Sequence, residues 1–335
     1  MKTYLDKNVY EAALERIAYC FQEFDNVLVA FSGGKDSGVL LNLCYNYADE
    51  HGLLDKLTMY HLDYEAQYQM TTEYVTRTFL EQFPGIRKMW YCVPIKAQSA
   101  CALGEPYWTP WDAAKKKLWV RAMPENPYVV HEGNLDVPFR HGMVDYEFQD
   151  KLSRHFAKKR GTTAVMVGLR ADESLNRYAA VARGKKRRSY EGRKWITQTS
   201  AVTANVYPLY DWRVSDIWTA TARFGFDYNR LYDLLYQAGL TAGQMRVASP
   251  FNDCAQESLK LYKVIDPSNW ARMIGRVNGV NFTGLYGGTT AMGWKTIKLP
   301  PGHTWKSYYE FLLSTMDART AAHYNNCLLY TSPSP

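Results

Sequence analysis

The chain has 335 residues, 47% of them hydrophobic, and a net charge of +7. That is enough apolar residue for one large domain or two smaller ones, while no run of about 18 apolar residues exists to span a membrane. The first residues lack the apolar core of a signal peptide and none of the six cysteines sits in a Cys-x-x-Cys pair, so a cytoplasmic protein without a zinc or iron–sulfur site is expected.

Ala12, Ala13, Ile17, Cys20, Phe21 and Phe24 recur at helical spacing and predict a first helix over residues 8–24. A strand follows over 26–31, then a helix over 37–51 that Gly52 stops, then a second strand over 57–62. Two strands about 30 residues apart around one helix make a parallel, right-handed βαβ unit. Residues 71–83 predict a helix ended by Pro84-Gly85, and 88–93 a third strand ended by Pro94. Residues 99–149 break the rhythm with several prolines and with Trp108, Trp111 and Trp119, and read as an insertion over the site carrying a short helix at 111–121. A helix over 149–160, a fourth strand over 163–167 and an extended segment over 196–207 complete an α/β layered domain with a parallel sheet and helices on both faces.

From about residue 215 the pattern becomes mainly helical, at 216–224, 231–237 and 258–264. The glycine-rich stretch 275–293 reads as loop or a small β excursion, and 305–315 as a last helix. The expected organisation is a nucleotide-binding domain over 1–225 and a mainly helical C-terminal domain over 226–326. Cys327-Leu-Leu-Tyr-Thr-Ser-Pro-Ser-Pro335 resembles a translated sequencing-adapter end. It is expected to be non-native, extended and unpacked, because proline cannot continue a helix.

The chemistry concentrates in Val27-Leu-Val-Ala-Phe31-Ser32-Gly33-Gly34-Lys35-Asp36-Ser37-Gly38, where an apolar strand runs into a glycine turn and then a helix. The glycines let the backbone approach a ligand closely. Amides of the turn and the helix N-terminus favour an anion, Lys35 adds a mobile positive charge, and Ser32 and Ser37 add hydroxyls. Such a device holds a pyrophosphate. It is not a Walker A loop, because Asp36 follows Lys35 and Val29 stands where the earlier glycine belongs.

Three further clusters fall at predicted strand ends, where ligands of parallel sheets sit. In His61-Leu62-Asp63-Tyr64-Glu65, Asp63 either accepts from a ribose hydroxyl or adenine amine or caps the next helix. In Val167-Gly168-Leu169-Arg170-Ala171-Asp172-Glu173-Ser174, Arg170 can clamp a phosphate or sulfate and Gly168 lets it pass close to the backbone; the alternative is a structural Arg170–Glu173 pair. Tyr207-Pro-Leu-Tyr-Asp-Trp-Arg-Val-Ser-Asp-Ile-Trp218 begins and packs a helix. Residues Arg183 to Lys194 carry seven basic side chains and one acidic one. Lys185, Lys186, Arg187 and Arg188 there form a candidate lid over a polyphosphate, with a nucleic-acid contact and a solvated loop as the other readings.

Ser32-Gly-Gly-Lys-Asp-Ser37 resembles the PP-loop of the adenine nucleotide α-hydrolase superfamily, whose domain is Rossmann-like (HUP-type). The segments after Val167 and Tyr207 resemble those of phosphoadenosine phosphosulfate (PAPS) reductases and ATP sulfurylase small subunits. Tyr228-Asn-Arg-Leu-Tyr-Asp-Leu-Leu-Tyr-Gln-Ala-Gly239, Met245-Arg-Val-Ala-Ser-Pro-Phe251, Gly275-Arg-Val-Asn-Gly-Val-Asn-Phe282 and Leu299-Pro-Pro-Gly-His-Thr-Trp305 resemble the uncharacterised C-terminal domain of immunoglobulin-binding regulator A-like proteins. That resemblance implies a partner similar to ParB. The cysteine of PAPS reductases, in a Glu-Cys-Gly-Leu-His pattern, does not occur in these residues, and Asn252-Asp253-Cys254-Ala255 is not that pattern.

The resemblance implies adenylyl chemistry on ATP with magnesium, splitting between the α and β phosphates. Lys35, Asp36 and Arg170 would be catalytic. Ser32, Gly33, Gly34, Lys35, Asp36, Ser37, Asp63, Gly168, Arg170 and Glu173 would bind the nucleotide, with Asp36 near the magnesium ion. The alternatives are a nucleotide-gated regulator that contacts DNA with its ParB-like partner, and a sulfonucleotide reductase or sulfotransferase using Cys254.

Overall fold

The computed structural model describes residues 6–331 apart from 103, 183–188, 248, 257 and 293–297; the side chains of residues 176, 254, 292 and 327–331 also lie outside the description. An eight-stranded sheet forms the frame, in the order β6-β3-β2-β1-β7-β10-β9-β8. Its strands are β1 (Asn26–Ala30), β2 (Leu57–Leu62), β3 (Arg87–Cys92), β6 (Val129–His131), β7 (Thr163–Val167), β8 (Ser189–Tyr190), β9 (Arg193–Gln198) and β10 (Thr203–Val206). The strands from β6 to β10 are parallel, and β9 and β8 fold back as an antiparallel edge. A separate ribbon pairs β4 (Ala97–Gln98) with β5 (Tyr107–Trp108).

β1 is central and its apolar residues face both ways. Val27 and Val29 join a core built by α1 (Val9–Glu23), α2 (Lys35–Glu50), α3 (Gln69–Glu81) and α6 (Val214–Phe224), including Ile17, Phe21, Leu40, Cys44, Phe79 and Ile217. Leu28 joins the opposite core with Phe148, Leu152 and Phe156 of α4 (Asp145–Arg160). A strand covered on both sides reads as a continuous apolar run rather than an alternation, which is why 27–31 is so uniform. Asn8 starts α1 with a capping box to Glu11.

The remaining helices are α5 (Leu175–Ala182), α7 (Leu231–Gln237), α8 (Tyr262–Ile265), α9 (Pro267–Arg276), α10 (Val280–Tyr286), α11 (Trp305–Ser314) and α12 (Ala318–Thr331). A third core joins this region to the first part of the chain, with Ala66, Tyr68 and Trp108 packed among Leu231, Tyr232, Val247, Phe251, Tyr262 and Met273.

Four sequence expectations change. The stretch 275–293 is only partly loop and has no strand where it is described: α9 ends within it, α10 fills its middle, and turns lie between and after them. Its glycines serve close packing: a Cβ on Gly284 would stand 2.2 Å from the Trp270 ring, and one on Gly279 only 1.9 Å from the Cys101 carbonyl oxygen. The extended tail is instead helical through Thr331, since the prolines at 333 and 335 act on their own and the preceding residues and leave the run before them free to propagate. The short helix of the insertion is a 3-10 turn at Ala113–Leu118, broken by the non-helical backbone of Lys115. The insertion also supplies β6, too short at three residues to leave a periodicity.

A buried acidic pair at the end of β2 assembles these parts. Glu65 is fully buried, at φ +63. Its carboxylate accepts from the amides of Trp111 (2.6 Å) and Val120 (3.0 Å) in the insertion, and from Nε (2.8 Å) and Nη2 (3.0 Å) of Arg276 in α9. Glu65→Ala would leave the Arg276 guanidinium buried without its counter-charge. The variant should lose about 3–5 kcal/mol of stability, the usual cost of stripping one partner from a buried ion pair, read as a fall in the denaturation midpoint; a loss below about 0.5 kcal/mol would remove this contact from its organising place.

Candidate functional site

The turn after β1 is tied before any ligand arrives. The Phe31 amide donates to the Tyr60 carbonyl (2.8 Å). Gly33 has φ +77, which suits glycine, and Gly34 caps α2 in an extended conformation. The two serines face each other, with Oγ atoms 3.0 Å apart. Ser37 Oγ accepts from the Ser32 amide (3.1 Å) and donates to the Gly34 carbonyl (3.1 Å), and Ser32 Oγ accepts from the Gly34 amide (3.3 Å). The serines therefore shape the loop, Ser37 from a buried position and Ser32 from an exposed one. The amides of Asp36 and Ser37 find no acceptor among the described residues, as expected of donors in the first turn of a helix.

The charged residues predicted at separate strand ends meet here. Lys35 is buried, with Nζ 3.1 Å from Asp36 Oδ2 and 5.3 Å from the centre of the Tyr232 ring. The other Asp36 oxygen accepts from Nε of Arg170, whose Nη1 donates to Asp172. Burial opposes the charge on Arg170, but Asp36 and Asp172 outweigh it and raise the guanidinium further above its ordinary pKa. Glu173 pairs with Arg177 (2.9 Å) and with Arg246. The alternative Arg170–Glu173 side-chain pair is not formed; the two share a backbone hydrogen bond of 3.4 Å.

Two predicted site residues take different places. A Cβ on Gly168 would lie 2.9 Å from the Ser37 amide nitrogen and 3.0 Å from the Asp36 carbonyl carbon, so the missing side chain admits the start of α2. Asp63 is fully buried and its carboxylate is occupied by Arg121, by Trp90 Nε1 (2.7 Å) and by the Glu65 amide (2.8 Å). It neither reaches a ribose nor caps α3, whose N-cap is Tyr68. Beside it, His61 Nδ1 donates to the Phe31 carbonyl (2.8 Å), and burial lowers the pKa of the ring.

The C-terminal region roofs the loop, which the sequence motifs did not reveal. Tyr232 OH accepts from the Lys35 amide (3.1 Å). Asn229 Nδ2 donates to the Gly33 carbonyl (3.2 Å) and to Thr71 Oγ1 (2.9 Å). A Cβ on Gly34 would stand 3.1 Å from Val247 Cγ2. The signal lay in segments 228–239 and 245–251, which the sequence marked by resemblance without giving them work.

A resident magnesium ion does not fit the protein residues at the loop, because each oxygen of Asp36 already faces a cation. Among the described residues no group of three or more His, Cys, Asp or Glu could hold a metal. Lys185, Lys186, Arg187 and Arg188 lie outside the described residues, as does the Cys254 side chain. Cys20, Cys44, Cys92 and Cys101 are buried, and burial raises their thiol pKa values. A cavity of about 1350 Å³ opens between the insertion and α9, lined by Trp111, Lys116, Trp119, Arg121 and Arg272; it includes none of the loop residues. No helix among the described residues is long and apolar enough to cross a membrane.

A family model described as the phosphoadenosine phosphosulfate reductase domain matches residues 26–238, and one described as a domain of unknown function (DUF3440) matches residues 239–332. The chain is similar to the uncharacterized protein YbdN of Escherichia coli K12, at 35% identity over 327 residues, covering 96% of this chain and 79% of that protein. It is similar to the PAPS reductase of Candida auris, solved as a phosphate complex, at 15% identity and a TM-score of 0.37, over 70% of this chain and 93% of that one. It is also similar to the FMN adenylyltransferase of Candida glabrata in complex with FAD and inorganic pyrophosphate, at 14% identity and a TM-score of 0.38, over 69% of this chain and 63% of that one.

Two substitutions check this geometry. In Gly168→Ala the methyl meets backbone that cannot rotate away, so a loss of about 1–3 kcal/mol is expected. Gly275→Ala, with nothing within 4 Å of its Cβ, should be neutral or slightly stabilising in α9; equal effects at both glycines would contradict the close approach. At Asp63, burial pushes the carboxyl up, but Arg121 and His61 outweigh it and hold the pKa below the ordinary carboxylate value. The unfolded chain therefore takes up the proton first, so the stabilisation is full above about pH 4 and is lost as pH falls through the folded value. Asp63→Asn should lower the melting temperature at neutral pH and flatten its decline below about pH 4; an unchanged acid limb would show that another carboxylate governs it.

Proposed function

The chain belongs to the phosphoadenosine phosphosulfate reductase domain family, a PP-loop group that binds adenine nucleotides, and from that premise we propose that it is an enzyme that binds ATP at Ser32–Ser37 and transfers its adenylyl group. The observation that carries the reading is the convergence of Lys35, Asp36 and Arg170 on the N-terminus of α2, where two amides have no acceptor among the described residues. The β- and γ-phosphates would lie against those amides and Lys35, and Arg170 would face the α-phosphate. An acceptor oxygen attacks the α-phosphorus, the bond to the bridging oxygen of the β-phosphate breaks, and pyrophosphate leaves with the electron pair. Fixed donors aimed at the leaving group stabilise its growing charge. Both Asp36 oxygens already face cations, so Lys35, Arg170 and the loop amides would carry the charge stabilisation.

Sulfonucleotide reduction is the weaker reading, because the Glu-Cys-Gly-Leu-His pattern does not occur in the 335 residues. A second reading has one observation in its favour. Tyr232 and Asn229 connect the loop to the C-terminal region, so nucleotide occupancy would be felt there, as a nucleotide-gated regulator with a ParB-like or DNA partner requires.

ATP at 100 times its dissociation constant should stabilise the protein by about 2.7 kcal/mol, read as a rise in melting temperature. Lys35→Ala should weaken that effect without unfolding the chain. Any turnover should yield pyrophosphate, with AMP when water is the acceptor. ADP and orthophosphate as primary products would overturn the adenylyl-transfer reading, and tight binding without pyrophosphate release across acceptors would favour the regulator.

A further inference from the structure

The cations beside the loop are largely committed to protein carboxylates. Lys35 faces Asp36, and Arg170 is held by Asp36 and Asp172. A bound polyphosphate brings several negative charges and needs a cation that can be released without stranding a buried carboxylate. Glu173 offers one, because it holds two arginines, Arg177 and Arg246. Losing Arg246 would leave it still paired.

Arg246 is also placed for the task. Its neighbour Val247 packs beside Gly34, close enough that a Cβ there would be 3.1 Å away. Its side chain keeps 24% of its surface exposed, whereas that of Arg170 keeps 4%. Two residues beyond Val247, the buried Ser249 hydroxyl has no partner among the described residues. We propose that Arg246, supplied by the C-terminal region, is a phosphate-binding residue of the loop site that moves from Glu173 to the polyphosphate when nucleotide binds. The inference rests on the reading that the loop binds a nucleotide. The competing role for Arg246 is a plain tie between the C-terminal region and the segment after β7.

The test is calorimetric titration of the full chain with ATP, inorganic pyrophosphate and adenosine, for the parent, Arg246→Gln, Arg246→Lys, Glu173→Gln and Lys35→Ala. Loss of a charge-assisted contact should weaken ATP and pyrophosphate about tenfold or more in Arg246→Gln. The loss should persist at about 0.5 M salt, where distant charges are screened, while adenosine is unaffected. Arg246→Lys, which keeps the charge and guards against a folding defect, should fall between. Glu173→Gln removes the competitor and should bind ATP as tightly as the parent or more so. A tie would instead make Arg246→Gln and Glu173→Gln weaken ATP and adenosine together, which overturns the proposal. Unchanged ATP binding in Arg246→Gln with binding lost in Lys35→Ala overturns this proposal alone. No ATP or pyrophosphate binding by the parent chain overturns the loop reading with it.

Discussion

The burial of two carboxylates at the end of one central strand organises the rest of the molecule. Asp63 and Glu65 are both fully enclosed, and an enclosed carboxylate must be paired and hydrogen-bonded or it will not stay ionised. Asp63 is met by Arg121 from the insertion, and Glu65 by Arg276, 211 residues away in α9. The backbone amides of Trp111 and Val120 complete the second set. Glu65 sits at a left-handed φ to reach all of them, a conformation of roughly 1–3 kcal/mol that only over-determined surroundings sustain. The desolvation of these charges is what a protein would avoid unless their geometry fixed something. What they fix is the docking of the insertion and the C-terminal region on the sheet.

That docking reaches the loop through packing. Arg276 lies 5.4 Å from the centre of the Trp108 ring, and Trp108 meets Phe251 edge-on with centroids 4.9 Å apart. Phe251 belongs to the same core as Val247 and Tyr232, the residues that cover Gly34 and the Lys35 amide. On the other side, His61 ties β2 to the last residue before the loop. The loop's glycines are therefore confined on one side by Thr71 and Val75 of α3 and on the other by the C-terminal region. A loop built this way is stiff, which would lower the ordering cost of any ligand it binds.

The sequence made the loop legible because its signal is local: a strand, two glycines and a helix start within a dozen residues. The parallel sheet and its helices were legible for the same reason, each element carrying its own period. Lys35, Asp36 and Arg170 come together because the ends of parallel strands converge. What stayed hidden were contacts that no motif marks. Asp63 read as a ribose or adenine acceptor or as a helix cap, and the structure closes Arg121 on it. Gly168 looked like ligand clearance until the backbone of α2 filled the space. The glycines after α9 looked like loop because sequence shows a missing side chain but not the ring that occupies its volume, as Trp270 does at Gly284. Tyr232, Asn229 and Arg246 carried no motif that names a job, and their meaning comes from what lies opposite them.

Tyr232 shows how such a site can couple to the rest of the chain. Its ring is buried, and burial raises the phenol pKa well above its ordinary value. It therefore remains a neutral hydroxyl and satisfies the Lys35 amide without bringing a charge to the helix N-terminus. A phosphate that took this amide in addition to those of Asp36 and Ser37 would have to displace the phenol, and Tyr232 lies in α7 beside Asn229, which holds the Gly33 carbonyl. Under the proposed loop reading, a ligand that did so would shift the start of the C-terminal region. Linkage requires the reverse with equal strength: whatever holds α7 in place weakens the anion's claim on the amide, and whatever draws α7 away strengthens it. An acceptor or partner that engages the C-terminal region would thus tune nucleotide affinity through one hydrogen bond, without touching the nucleotide.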